Sequence, residues 1–396
     1  MKKLMILGAG PNQVPLIKAA KQNGYSVIVC DYSETVPGAA LADELCPVSI
    51  MDREGVLRTA REKEVDGIIS NSEPAMPIVA YVGNTLRLPS NDYETIAAMT
   101  DKHAFRTLLQ EKGFAVPGFG TAGTCGEAET LFHRLKKPIM VKPAESSGSR
   151  GVVRISDLSE LKTAFETACQ YSRNQKVILE EFIDNTCGRL VAGDIFISQE
   201  RMVFCGMMDS LRGEKYPLNP LGELYPANLT PEQRAQIESE LNRAAKALQI
   251  SFSAINIEVV IGQDGKVYFI ELNPRNGGNR IPEALKYATR FDIFDATVRA
   301  AVGERIELYE TDQAGVTATY MVHSDADGIL QSVTFSDRLN PFVQDWFPDV
   351  ETGMAVEPFV NSEKRLGVLV LQFDSVEQRN AMLDDIEDHI FVELRT

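Results

Sequence analysis

The sequence predicts a multidomain chain of mixed α/β and α+β architecture that opens with a Rossmann-like parallel sheet. Three observations carry this. Strand and helix patterns alternate from "KLMILGAG" to "VDGIISNSE", and such alternation builds a parallel sheet covered on both faces. A strand, a Gly/Ser loop and a second strand follow in "PIMVKPAESSGSRGVVRIS". The 396 residues exceed what one hydrophobic core commonly spans.

In order, "KLMILGAG" is an apolar strand stopped by glycines, and "PNQVPLIKAAKQNG" has helical spacing and stops at Gly24. "YSVIVCDYS", the charged helix "REGVLRTAREKE" and "VDGIISNSE" complete a unit over residues 1–95. A single helix is predicted over "YETIAAMTDKHAFRTLLQEKG". Strands and one helix between about 115 and 182 suggest a compact α+β lid inside a central domain, 96–305. "LVAGDIFISQERMVFCGMMD" reads as a hairpin, and "PEQRAQIESELNRAAKALQI" as a long helix leading into "NIEVVIGQDGKVYFIELNPRNGGNRIP". From 306 to 396 a small α+β segment is expected. Its "GVTATYMVHSDADGILQSVTF" reads as a hairpin turning at Asp-Ala-Asp-Gly.

Composition narrows the function. The 44% hydrophobic and 24% charged fractions are those of a folded, soluble chain. With 40 basic against 56 acidic residues the net charge is −16, so neither nucleic acid nor an anionic membrane is an expected partner. The six cysteines form no CxxC pair, which favours reduced thiols over zinc or disulfides. The apolar run at the start is short and passes into Gly-Ala-Gly-Pro, reading as a strand and not a signal peptide. A cytoplasmic location is the expectation.

Three motifs carry chemistry. "GAGPNQ", with Asp31 closing the next strand, meets the dinucleotide fingerprint only in part, because Gln13 stands where a third glycine belongs. Its backbone N–H groups suit an anionic group. In "VKPAESSGSRGV", Lys142 precedes a loop of small residues that can close on phosphate oxygens; the alternative is a flexible hairpin with a solvated lysine. In the third, Glu258 and Glu271 flank the turn "GQDGK", so a hairpin would bring them together, and Asn273 shares a face with Glu271. Two carboxylates and an amide oxygen form a hard site suited to Mg²⁺ or Mn²⁺. Arg275, two residues on, can reach the same cavity and meet developing negative charge.

Taken together, Lys102 in "TDKHAFR", Lys142 with its loop, "ILEEFI", and the set Glu258, Glu271, Asn273 and Arg275 resemble the ATP-grasp ligases. The resemblance runs from about residue 3 to 305, and within the family it points to carboxylate–amine ligases such as bacterial L-amino acid ligases. Biotin carboxylase and the carbamoyl phosphate synthetase large chain are wider relatives. It implies an ATP-grasp fold behind a Rossmann-like domain, with ATP and Mg²⁺ (or Mn²⁺) as cofactors. Lys102 and Lys142 would contact phosphates, under a covering loop of Ser146, Ser147, Gly148, Ser149 and Gly151. Glu180 would meet the adenine amino group, the backbone of Glu181 and Ile183 would complete adenine recognition, and Phe182 and Leu272 would lie beside the nucleotide. Glu258, Glu271 and Asn273 would hold metal; Arg275 and Lys142 would act on the transferred phosphoryl group. The usual ribose-binding glutamate is replaced: "DNTCGRLVAGD" offers Leu190 there, with Asp184 as a substitute.

The implied reaction forms an amide from a small carboxylate and an amine, amino acids among them, through an acyl phosphate. Arg212, Asn279 and Arg280, with Lys215 and Tyr216, flank the acceptor pocket. Glu73 and Asp209 are the candidates for a general base, each with a solvated or capping alternative. The C-terminal segment is expected to cap the site or to form a homodimer contact. Two other readings stand: a bicarbonate-activating carboxylase or carbamoyl-phosphate-type enzyme, and a non-catalytic ATP-binding regulator.

Overall fold

A computed structural model describes residues 1–145, 148–310 and 315–395. The first unit contains β1 (Lys3–Leu7), α1 (Val14–Gln22), β2 (Ser26–Cys30), β3 (Glu44–Cys46), α2 (Arg53–Lys63), β4 (Gly67–Ser70) and α3 (Met76–Leu86). Its four strands are parallel in the order β3-β2-β1-β4. Their apolar runs are buried from both sides, as a parallel sheet requires. The Gly8–Gln13 turn leaves the sheet at Gly8 (φ +90°). Asp31 binds the Ala9 N–H at 2.9 Å, and the buried Gln13 side chain folds over Gly8. The missing third glycine is therefore replaced by a side chain that fills the turn.

The expected single helix after this unit is two: α4 (Tyr93–Met99) and α5 (Lys102–Glu111). Asp101 breaks the run by accepting the Ala104 N–H at 2.8 Å as an N-cap, the role a short acidic side chain takes at helix starts. The break places Lys102 at the first turn of α5.

The segment expected as a lid follows, with two helices where one was expected: β5 (Phe119–Ala122), α6 (Cys125–Arg134), β6 (Ile139–Pro143), β7 (Val153–Ile155), α7 (Leu158–Gln170) and β8 (Val177–Glu181). Its antiparallel sheet runs β5-β8-β6-β7. A capping box between Asp157 and Glu160 starts α7.

The centre is an eight-stranded sheet in the order β13-β12-β9-β10-β11-β14-β18-β16. It begins with β9 (Val191–Ser198), β10 (Arg201–Leu211) and β11 (Gly222–Tyr225), then α8 (Pro231–Ala247), β12 (Phe252–Ile261), β13 (Val267–Asn273), α9 (Ile281–Thr289) and α10 (Ile293–Ala301). Strand alternation divides its faces. Val191, Ile257, Val259 and Leu272 pack with Ile237 and Leu241 of α8, while Phe196, Met208 and Ala254 pack with Ala284 and Leu285 of α9.

The C-terminal elements are β14 (Val316–Val322), β15 (Gly328–Phe335), β16 (Val343–Pro348), β17 (Ala355–Val356), β18 (Gly367–Phe373), α11 (Val376–Leu383) and β19 (Ile390–Arg395). The expected β14–β15 hairpin does not form. Both edges of β14 are taken, by β11 and β18, and β15 joins a separate sheet ordered β17-β15-β19. The C-terminal segment is thus not free-standing, since β14, β18 and β16 extend the central sheet.

Strands β9 and β10 approach closely where Gly193 has φ +130°, and a Cβ there would lie 2.0 Å from the Gly206 carbonyl oxygen. Gly193→Ala is expected to cost about 2 kcal/mol or more, measured as a loss of denaturation midpoint relative to the parent chain.

Candidate functional site

The hairpin β12–β13 sets the site. Its register pairs Glu258 with Glu271 and Asn256 with Asn273, all on the α9 side of the sheet. A register shift follows directly after Glu258, of the bulge type that re-aims side chains beside functional sites. Asn273 donates its amide to Glu271 Oε2 at 2.9 Å, which leaves its oxygen as a ligand atom. Burial and the neighbouring Glu271 push the Glu258 carboxyl up to about 6. Burial acts on Glu271 in the same direction, but Lys102, the Asn273 amide, Lys142 and Arg275 outweigh it and hold that carboxyl below its usual range. Two facing carboxylates and an amide oxygen fit a hard divalent cation, which would relieve their repulsion. Among the described residues no group of three or more His, Cys, Asp or Glu converges, so the remaining ligands would come from phosphate and water.

Cations surround this pair. Lys102 Nζ lies 3.7 Å from Glu271 Oε1, and the Lys102 N–H bonds the Ala144 carbonyl at 3.2 Å, joining α5 to the lid's loop. Lys142 ends β6 and binds Glu180. Glu180 is almost fully buried, and its other oxygen accepts from Arg106 Nε at 2.7 Å. Arg106 also donates to the Phe269 and Ile270 carbonyls at 3.1 and 2.9 Å. It therefore bolts α5 and β13 to the lid strand β8. Burial would raise the Glu180 carboxyl, but Arg106 and Lys142 overcome that and bring it down to about 2.

The loop after Lys142 has positive φ at Gly148 (+67°), Ser149 (+57°) and Gly151 (+68°), a conformation that turns successive N–H groups inward. Ser146 and Ser147 lie outside the described residues. Arg150 reaches Glu363 at 2.6 Å. At the end of β8, the Glu181 N–H is committed to the Gly118 carbonyl and the Phe182 N–H to that of Pro138, each at 2.9 Å. The expected adenine contact through Glu181 thus cannot use its N–H. Arg154 stacks on the Phe182 ring at 4.1 Å, Ile183 follows β8, and Leu272 is buried in the core with α8.

Arg275 bonds Glu73 Oε2 at 2.9 Å and the Asn276 carbonyl at 3.0 Å. Glu73 thus serves as the arginine's partner and links the first unit to the site. Asp209 points to the opposite face from Ser210 and accepts the Asn228 N–H at 3.0 Å, tying down the loop between β11 and α8. The turn after β13 is shaped by Asp194, fully buried on β9, which accepts from Gly277 N–H at 2.9 Å and from Asn256 at 3.0 Å. A Cβ on Gly277 would meet Asp194 at 2.6 Å.

Of the acceptor candidates, Arg212 donates to the Leu218 carbonyl at 3.1 Å and Asn279 accepts from Arg365 at 2.8 Å. Arg280 pairs with Glu283 at 2.9 Å and lies over Phe347, 3.9 Å from the ring centroid, so its guanidinium is already engaged on both sides. Lys215 and Tyr216 both turn to Asp325. Leu190 brings no carboxylate to the expected ribose position, and Asp184 is exposed. Sequence reasoning missed Arg106, Asp194, Arg365 and Glu223. Arg106 alone left a signal, standing one helical turn after Lys102.

Residues 135–283 match the ATP-grasp domain family, and the chain carries an ATP-grasp domain. Among curated relatives, an uncharacterised protein of Sinorhizobium fredii is 27% identical over 288 residues, covering 71% of this chain and 58% of that one. The carbamoyl phosphate synthase large chain of Thermotoga sp. (strain RQ2) is 24% identical over 290 residues, 69% of this chain and 26% of the relative. The chain thus spans little more than half, or about a quarter, of the length of these relatives. In fold it is similar to an L-amino acid ligase from Bacillus licheniformis, with TM-score 0.85 and 22% identity over 100% of this chain and 99% of that one. It is also similar to N5-carboxyaminoimidazole ribonucleotide synthetase from Thermotoga maritima, with TM-score 0.78 and 17% identity over 100% of both. No helix among the described residues is long and apolar enough to cross a membrane.

Two predictions follow from the geometry. Glu180→Gln strands the buried Arg106 charge and is expected to cost about 3–5 kcal/mol, read by denaturant titration. Burial pushes the Asp194 carboxyl from 3.8 up to about 7. A raised carboxyl binds its proton more tightly folded than unfolded, so its contribution is full below pH 4 and lost as pH rises through 7. Asp194→Asn should therefore flatten the fall in stability between pH 4 and 7, measured as melting temperature against pH.

Proposed function

We propose that this chain is an ADP-forming carboxylate–amine ligase that joins a small carboxylate to an amine at the expense of ATP, with Mg²⁺ as the expected metal and Mn²⁺ as a substitute. The observation that carries this reading is the direct pairing of Glu258 with Glu271, with Asn273 beside them and Lys102, Lys142 and Arg275 around them. Such a cluster suits the terminal phosphates of a nucleotide, because phosphoryl transfer needs positioning and charge neutralisation more than covalent help. The metal, held by Glu258, Glu271 and Asn273, would supply charge neutralisation between the phosphates. Lys102 and Lys142 would balance the phosphate oxygens, and Arg275, steadied by Glu73, would meet the γ-phosphoryl group.

In the first step a carboxylate oxygen of the substrate forms a bond to the γ-phosphorus as the bond to the β–γ bridging oxygen breaks, giving an acyl phosphate and ADP. In the second, an amine nitrogen bonds to the acyl carbon, the carbon–oxygen bond to phosphate breaks, and the proton lost by the amine ends on the departing phosphate. The acyl phosphate must be kept from water. The lid sheet β5-β8-β6-β7 and its loop are suited to that, being tied to the core through Glu180 and Arg106.

The test is phosphate release from ATP and Mg²⁺ with a panel of paired amino acids, with and without bicarbonate. Release that depends on both an organic acid and an amine supports the reading. Release that needs bicarbonate, or none with any pair despite tight ATP binding, sinks it. Glu258→Gln and Glu271→Gln are each expected to lower kcat about 100-fold or more, as loss of a charge-stabilising group does, with the fold intact by circular dichroism.

A further inference from the structure

Several buried carboxylates around the site have their charges answered by a cation, but that of Glu223 is not; Asp194, also without an ion pair among the described residues, has its oxygens taken by the Gly277 N–H and the Asn256 amide. Glu180 has Arg106 and Lys142, Glu271 has Lys102, and Glu73 has Arg275. Glu223 of β11 is only 3% exposed. Among the described residues its partners are neutral: the Thr319 hydroxyl donates to its Oε2 at 2.8 Å, and the Asn279 amide donates to its carboxylate. Among the described residues no ion pair reaches it, and Arg212 acts on it only from a distance. A buried carboxylate without a cation must hold a proton or wait for one from outside, and burial does push this carboxyl up to about 7.

Its location says what it waits for. The register carries one sheet face from Glu271 and Glu258 on the β13–β12 hairpin, through Ala192 and Met208, to Ser210 and its partner Glu223. Strands β12 and β11 are three spacings apart, roughly 14 Å at about 4.8 Å each. That gap suits a molecule of a few heavy atoms lying between the two acidic groups. Asn279, which holds Glu223, belongs to the turn that starts α9, and Arg365 holds Asn279 in place at 2.8 Å. Arg212 stands near enough to both Glu258 and Glu223 to lower each. One face of the sheet thus carries a metal-suited acidic pair on the β12–β13 hairpin and, on β11, a buried carboxylate whose hydrogen-bond partners are neutral.

We propose that Glu223 is the group that holds a primary ammonium of a substrate, so that the pocket selects amine-bearing molecules. This rests on the ligase reading for the identity of the pocket, and a binding measurement separates the two. The full chain, saturated with Mg²⁺ and a non-hydrolysable ATP analogue, is titrated by calorimetry with amino acids, amino acid esters, N-acetyl amino acids and the des-amino acids.

Glu223→Gln keeps the size of the side chain and an oxygen that can accept from the Thr319 hydroxyl. It is expected to weaken ammonium-bearing ligands about 100-fold, as loss of one partner of a desolvated charge pair does. Des-amino acids and the nucleotide should keep their affinities within about twofold, and Glu223→Asp should fall between. Esters cannot be phosphorylated at the carboxyl, so an ester that binds and senses the substitution puts the ammonium on the nucleophile. If only free amino acids sense it, and N-acetyl derivatives fail on the parent chain, the ammonium belongs to the acyl donor.

Equal affinities of parent and variant for every ammonium-bearing ligand overturn the proposal. So do an equal loss for des-amino acids, a loss of Mg²⁺ affinity, or failure of the parent to bind any amine. Amine binding that depends on Glu223 without phosphate release would sink the ligase reading alone. Turnover unaffected by Glu223→Gln would sink this one alone.

Discussion

Two like charges placed opposite each other are the constraint around which this molecule is arranged. The β12–β13 register leaves Glu258 and Glu271 no choice but to face each other, and neighbouring carboxylates resist ionising together. The effect is visible in the pair itself, with Glu258 raised and Glu271 lowered. The surroundings supply the compensation from four separate parts of the chain: Lys102 from a helix start, Lys142 from β6, Arg275 from the turn after the hairpin, and Arg212 from the loop that follows β10. Each comes from a different element, so the electrostatics of the site depend on the tertiary arrangement being complete.

The second organising contact is the buried network of Arg106, Glu180 and Lys142. Removing charges from water is costly unless geometry and hydrogen bonding are good. Here every oxygen of Glu180 is engaged and Arg106 also satisfies two main-chain carbonyls of β13. Because the network spans α5, β8 and the β12–β13 hairpin, it ties Lys142 to the elements that carry the acidic pair. Lys142 takes part in both, its charge reaching Glu180 directly and the acidic pair through the cavity. A phosphate entering the site would therefore compete with Glu180 for the same ammonium group.

Much of this was legible in the chain. Alternating strand and helix patterns gave the parallel sheet, and strand alternation placed Asn273 on the face of Glu271. The turn "GQDGK" was enough to place Glu258 opposite it. Less legible were contacts whose partners are far apart in sequence. Nothing local in "LGELYP" distinguishes Glu223 from a surface glutamate, and only Thr319, 96 positions away, and the Asn279 turn bury it. The Asp194 carboxylate sits in "VAGDIFIS", where strand alternation gives its face but not the Gly277 N–H it holds.

The hairpin misread at Asp-Ala-Asp-Gly shows the same limit. A turn signal reports that the chain reverses, while pairing depends on which other strand edges are vacant; β14 found β11 and β18 instead. Likewise the apolar spacing through "YETIAAMTDKHAFR" was helical on both sides of Asp101, and the cap that splits it is a single hydrogen bond. The sequence by itself determined the local period, the loop chemistry and the set of acidic and basic side chains, because these depend on neighbours a few residues away. Only the tertiary structure decided which charges meet and which stay unanswered, because burial and charge pairing are set by elements brought together from hundreds of residues apart.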